Sequence, residues 1–405
     1  MATLLITGVD ENTFLNVYNN NVAEVVFENI IPEVLNYMRV TIVNGSQTVI
    51  LQVTYFPDVA GEYELKFNLK DPFKSLMTDI KNNDSGVPNQ QVFFDDDLLQ
   101  TYDVEYGFIY PEPEDNLYYD FEYKAFKSVE QIGKTISKPI TDPYILNKSD
   151  LTFFKGYPFD FSIYSNSSIA LRNLNNGNYI LYGGVTTGVN RVYLSRGLYL
   201  LDALDIATDF KARIISIGGT LYDNPCYIFD SEPILRTGYN NLKVELGSFD
   251  PKTLNIKLID ACEGIYLKWL NEEGSWSYWL FNSIHTDDIK SKVLDIYSTD
   301  FESITETYFP SLITGKDAKN ILNLSYNGLD NNEYEQLKSI VTAPRVELFI
   351  GEKDDDYSRI VANGGDDYTK AWMSVRVLDG TITKSTKIGI HDIKISIDKN
   401  QYTQS

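Results

Sequence analysis

Histidine is nearly missing from this chain, with 2 in 405 residues. His285 and His391 lie far apart, and neither has a Cys or second His at metal-ligand spacing. A zinc site needs such spacing and a serine or cysteine hydrolase needs a positioned base, so both classes are disfavoured. Neither cysteine sits in a nucleophile motif, and Gly183, Gly184 and Gly188 lack the Lys and Ser/Thr of a phosphate-binding loop. Cys226 and Cys262 cannot build a disulfide framework and are expected as two reduced, buried thiols. No apolar run approaches the ~18 residues that cross a bilayer. The start, Met1 to Gly8, lacks the basic region of a signal peptide. The expectation is a chain made in a bacterial cytoplasm and used without a membrane anchor. Positive charge is also short: Lys+Arg number 35 against 57 Asp+Glu, a net charge of -22. That balance repels nucleic acid at long range, and no basic cluster offsets it.

Aromatic residues are plentiful, at 13% with 29 tyrosines. Three of the 4 tryptophans fall in Tyr266 to Phe281, Tyr-Leu-Lys-Trp-Leu-Asn-Glu-Glu-Gly-Ser-Trp-Ser-Tyr-Trp-Leu-Phe. The polar centre, Asn271 to Ser275, reads as a turn in which Gly274 can take a positive φ. The flanks alternate, so the segment reads as a β-hairpin with heavy aromatic packing. Tyr266, Trp269, Trp276, Tyr278, Trp279 and Phe281 are the packing and interface candidates, since Tyr and Trp join a large apolar area to a polar tip. A sugar-binding face is the other use of such residues.

Period-two alternation dominates elsewhere. Val49, Leu51, Val53 and Tyr55 share one face, and Tyr63, Leu65, Phe67 and Leu69 another. Asn44-Gly45 is a hairpin signal. Asp71-Pro72 opens a short helix with Phe73, Leu76, Met77 and Ile80 on one side. Near the end, Asp330 and Glu333 form a capping box, and Ala343-Pro344 stops that helix. The fold class expected is all-β, with tandem Ig-like β-sandwich domains and a small helix-on-sheet C-terminal unit. The expected divisions are a sandwich over 1–136, a linker over 137–148, a second sandwich over 149–288 that ends in the aromatic hairpin, and an α+β unit over 289–405. The carboxylate runs Asp95-Asp96-Asp97, Asp354-Asp355-Asp356 and Asp366-Asp367 do not follow an EF-hand loop. They read as solvated loops, with a weak Ca²⁺ or Mg²⁺ site as the alternative.

The Tyr-Leu-Lys-Trp-Leu-Asn…Gly…Trp-Leu-Phe segment resembles a stretch in virion proteins of tailed phages that infect Bacteroidetes, including the crAss-like phages. Tyr157-Pro158-Phe159-Asp160-Phe161-Ser162, the Pro57-Asp58…Gly61…Phe67 pair and Ser325 to Ile350 fit the same layout. The resemblance touches most of the chain, and the Trp segment is its distinctive part. It implies a structural tail component, such as a ring or collar protein stacked below the portal. The partners it implies are further copies of the chain and other tail or portal proteins. It supplies no catalytic residues and no cofactor, and it implies a place in the virion. In such a ring the acidic residues Asp95, Asp96 and Asp97 are expected to face the lumen, where they would repel passing DNA. The runner-up expectation is a receptor- or glycan-binding fibre or adhesin.

Overall fold

Strand Tyr37–Asn44 buries Met38, Val40 and Ile42 and leaves the alternate positions partly exposed. The Asn44-Gly45 turn sends the chain back as Gln47–Thr54, with Gly45 at φ 59 and Asn44 opposite Gln47. These strands join Leu99–Ile109, Leu117–Phe126 and the short Leu15–Asn16 in a 5-stranded sheet. A 3-stranded sheet of Thr3–Thr7, Val22–Glu28 and Tyr63–Asn68 packs against it. Val25 and Phe67 share one core with Val40, Tyr102 and Tyr106, which makes the unit a β-sandwich. Helix Lys70–Ser75 closes the core, with Phe73 stacked at 4.2 Å on Tyr102, whose hydroxyl donates to the Phe73 carbonyl at 3.0 Å. The helix starts two residues earlier than expected, so Leu69 rather than Asp71 is its N-cap and Asp71 lies in the first turn. The computed structural model describes residues 3–28, 37–54, 63–77, 92–95, 97–113, 116–129, 139–182, 185–194, 213–214, 216–217, 220–221, 226–228, 235–298, 311–351, 372–384 and 390–399.

The second sandwich pairs a 4-stranded with a 7-stranded sheet. Phe161, Ile163 and Val192 of the smaller sheet share a core with Leu171, Val244 and Ile256 of the larger. Two pieces of its smaller sheet come from unexpected places. Tyr144–Ile145, inside the expected 137–148 linker, pairs with Tyr164 and Ile163 at one edge. Val92–Phe94, inside the expected first domain, pairs with Asn190, Arg191 and Val192 at the other. The chain therefore leaves the first sandwich, adds an edge strand to the second, and returns at Leu99. Strands this short carry too little alternation to announce which sheet edge completes them.

The aromatic hairpin does not close the second sandwich. Its strands, Ile265–Leu270 and Trp276–Phe281, form the edge of a separate 7-stranded sheet, with Leu267 opposite Leu348 and Trp269 opposite Val346. That sheet continues through Val346–Phe349, Trp372–Thr383, His391–Asp398, Ser311–Leu329 and Thr286–Ser298. The C-terminal unit is thus larger than the small sheet expected. The hairpin's period-two pattern fixes its own register but leaves the outer edge of Ile265–Leu270 open to any strand. Helix Asn331–Leu337 forms with the expected capping box: the Asp330 carboxylate accepts from the Asn332 and Glu333 amides, and the Glu333 side chain accepts from the Asp330 amide. A 3₁₀ turn, Lys338–Thr342, ends it before Ala343-Pro344.

Thr286–Ser298 and Ser311–Leu329 are the longest strand pair of the chain's described residues. His391–Asp398 covers only Ile321 to Leu329 of the second strand. From Lys290 paired with Lys319 to Ser298 paired with Ser311, the two strands pair only with each other among the described residues. Every residue from Thr286 to Leu294 is exposed, so both faces of this ribbon meet solvent. At about 3.3 Å per residue it reaches roughly 30 Å beyond the sheet.

Candidate functional site

The expected interface residues lie where the two sandwiches and the C-terminal sheet meet. Tyr266, Trp269, Trp276, Tyr278, Trp279 and Phe281 are all buried within the chain, so they join its own units rather than presenting an aromatic face to a neighbour. Tyr266 donates its hydroxyl to the Pro158 carbonyl at 2.7 Å, and Trp269 donates its indole N–H to Ser339 Oγ at 2.9 Å. Trp279 sets its ring edge-on between Phe154 and Tyr326, both at 5.2 Å. The turn Asn271 to Ser275 is held by Asn271 Oδ1, which accepts from the Glu273 and Ser275 amides at 3.0 Å. Gly274 takes φ 83 there, and a Cβ at that position would stand 3.2 Å from the Ser128 side chain of the first sandwich.

Two buried ion-pair groups sit in this junction. Lys268 Nζ lies 3.0 Å from Glu347 Oε2, with both side chains only 1% exposed. The ammonium sits 4.7 Å from the Trp276 ring centre and 4.4 Å from that of Trp372, and Arg345 reaches the same carboxylate at 2.6 Å. Two indole faces and a carboxylate replace the water that the ammonium gave up. In the second group Arg191 pairs with Asp160 at 2.8 Å and with Asp95 at 3.5 Å. The Tyr278 hydroxyl donates to the Asp160 carboxylate. One guanidinium therefore links the Val92–Phe94 excursion, the second sandwich and the hairpin.

Asp95 and Asp97 are buried, against the expectation of a solvated, lumen-facing acidic loop. Asp95 was drawn inward because Arg191, on the strand paired with Val92–Phe94, offers it a buried counter-charge. Asp96 lies outside the described residues, as do Asp354 to Asp356 and Asp366-Asp367. Cys262 is exposed and free, which corrects the expectation that it is buried; the side chain of Cys226 lies outside the described residues.

Polar side chains complete the weld between units. Asn147 Oδ1 accepts from the Ser162 amide at 2.8 Å and from Ser275 Oγ at 2.9 Å, while its Nδ2 donates to the Trp276 carbonyl at 3.0 Å. Gln336 on the short helix accepts from the Thr152 amide at 3.0 Å and donates to the Tyr278 carbonyl at 3.2 Å. Lys257 of the second sandwich reaches Glu333 at 2.7 Å. Burial pulls the Lys257 ammonium down, yet Glu333 and Asp330 carry it above the ordinary lysine value.

The two histidines stay apart: His285 is exposed, and His391 is buried with Nε2 at 2.9 Å from Asn331 Oδ1. No group of three His, Cys, Asp or Glu side chains able to hold a metal occurs among the described residues. No helix among them is long and apolar enough to cross a membrane. The first sandwich has an open groove of about 680 Å³, lined in part by Asp10, Glu11, Asn12 and Phe121. A smaller cavity of about 250 Å³, between Tyr18, Lys127, Leu270 and Pro344, lies at the seam of the first sandwich and the C-terminal sheet.

No protein-family model matches this chain, and no curated protein matches it. Among solved structures it is similar to the Dpr2 Ig1-Ig2 structure in complex with DIP-Theta Ig1-Ig3, at 11% identity and a TM-score of 0.15 over 64% of this chain and 99% of that one. It is also similar to Escherichia coli α2-macroglobulin in its native conformation, at 11% identity and a TM-score of 0.20 over 82% of this chain and 19% of that one. Scores this low carry no argument about this chain; its all-β, tandem-sandwich class rests on its own sheets and cores.

Proposed function

We propose that this protein is a structural subunit of a tailed-phage virion that assembles with further copies of itself into a ring in the tail or head–tail connector. The observation that carries this reading is the two-stranded ribbon of 289–298 and 311–319, which exposes Ile289, Leu294, Ile296 and Ile313 to solvent. A free two-stranded ribbon is marginal in water, and a long exposed edge strand is a template for pairing. A chain keeps such an element when a neighbour covers it. The welded junction supports the same reading, because a ring subunit must hold its interfaces at fixed relative positions.

The test is location. Immunogold labelling of virions with an antibody to this chain is expected to place several copies together at the neck or along the tail. Label confined to peripheral spikes, or virions that lack the chain, would contradict the proposal.

A further inference from the structure

Two surface patches break the same cross-strand rule with opposite signs. On the ribbon, Lys290 stands directly opposite Lys319. Lys292, opposite Asp317, shares that face, and Lys316, opposite Val293, lies on the other; all four lysines are exposed, and none makes an ion pair among the described residues. Over 289–298 and 311–320 the sequence holds these four lysines against only Asp295 and Asp317, in a chain whose net charge is -22. On the outer face of the first sandwich, Asp103 stands opposite Glu122, and Glu105 opposite Asp120. Lys124 takes up Glu122 at 3.0 Å and Arg39 takes up Glu105 at 3.2 Å. Asp103 and Asp120 are exposed and make no ion pair among the described residues.

Like charges directly opposite one another destabilise a strand pair. Such local conflicts are expected where a surface has a use that outweighs its own stability. Each patch also mixes its charge with apolar area. The ribbon exposes Ile289, Val293 and Ile313, and the acidic face exposes Ile50 and Tyr118. Ile50 lies in the same row as Glu105 and Asp120, through Thr41.

We propose that the ribbon of one copy docks on the acidic outer face of the first sandwich of a neighbouring copy. This rests on the assembly reading and names its partner and its contact. Donor and acceptor are different surfaces, so the contact is head-to-tail and repeats from copy to copy, closing into a ring when the rotation allows. A nucleic acid would also neutralise the lysines. The exposed isoleucines do not suit phosphate, and the rest of the chain repels a polyanion.

Charge swapping tests the docking on the full chain. The ribbon variant is Lys290→Glu with Lys319→Glu, and the face variant is Asp103→Lys with Asp120→Lys. All four positions are exposed, so circular dichroism and melting should match the parent; Lys→Gln and Asp→Asn versions replace any variant that does not fold. Sedimentation velocity at low salt should show concentration-dependent association of the parent, weakened by added salt. Each variant alone should associate about tenfold more weakly. An equimolar mixture should regain the parent's strength, because every ribbon then meets a face of opposite sign. A parent that is monomeric at all concentrations, variants that associate like the parent, or a mixture no stronger than its parts would each overturn the docking. So would ribbon lysines that duplex DNA, and not a second copy, shields from amine labelling. The assembly reading stands or falls separately, on where virions carry the chain.

Discussion

Lys268 lies in a strand whose other side chains, Ile265, Tyr266, Leu267, Trp269 and Leu270, are all apolar or aromatic. Glu347 and two indoles surround its ammonium there. Lys268→Met should therefore cost about 3–5 kcal/mol, since it leaves the buried Glu347 carboxylate with Arg345 alone. Lys268→Met combined with Glu347→Leu should recover most of that loss, because an apolar pair needs no desolvated charge. Urea unfolding of the three chains measures both effects, and a double variant as unstable as the single one would show that packing, not charge, dominates. Gly274→Ala should cost about 1–2 kcal/mol in the same assay, through its positive φ and the approach of Ser128. In the sequence, Lys268 reads as one polar residue of an alternating hairpin strand, and its burial was not legible. Nor was its partner, because Glu347 comes from a strand about eighty residues away and is recruited only by sheet pairing.

Elements differ in how far local pattern specifies them. The Asn44-Gly45 hairpin, the Tyr266 to Phe281 hairpin and the Asp330 capping box were legible because turn residues and caps act within a few positions. The placement of those elements was not legible. Nothing local to Val92–Phe94 says that it completes the second sandwich, and nothing local to the aromatic hairpin says that it belongs to the C-terminal sheet. The acidic triplet misled for the same reason: Asp95 becomes buried only once Arg191 is brought opposite. The ribbon was missed because its mix of lysines and apolar residues reads like any half-buried strand, and only the end of the His391–Asp398 pairing at Ile321 sets it apart among the described residues. Hydrogen exchange should show that difference directly. In the isolated chain, amides of 289–298 and 311–319 should exchange faster than those of Ile321 to Leu329, and the contrast should shrink on assembly. Equal protection along Ser311–Leu329 in the isolated chain would contradict the description of a free ribbon.

At the scale of the whole molecule, two sandwiches and a sheet are joined by buried polar groups rather than by hinges. Alkali should loosen the units from inside. Burial pushes Tyr123 in the first sandwich and Tyr144 at the seam up to about 12. The unfolded chain loses those protons near pH ~10, so the folded state's advantage is complete below that pH and drains away as pH rises toward about 12. Tyrosinate absorbance and circular dichroism followed together should change in that window, whereas ionisation of all tyrosines near pH ~10 without loss of structure would contradict the burial. A body held together this way would give the proposed ring a fixed spacing between the ribbon and the face proposed to receive it.

Cryo-electron microscopy of virions that contain this chain would show the ribbon and its neighbour together. A closed ring of copies in the tail or connector is expected, with density for each ribbon lying across the outer face of the next copy's first sandwich. Copies standing singly at fibre tips, or ribbons that end in solvent inside a well-resolved ring, would contradict it.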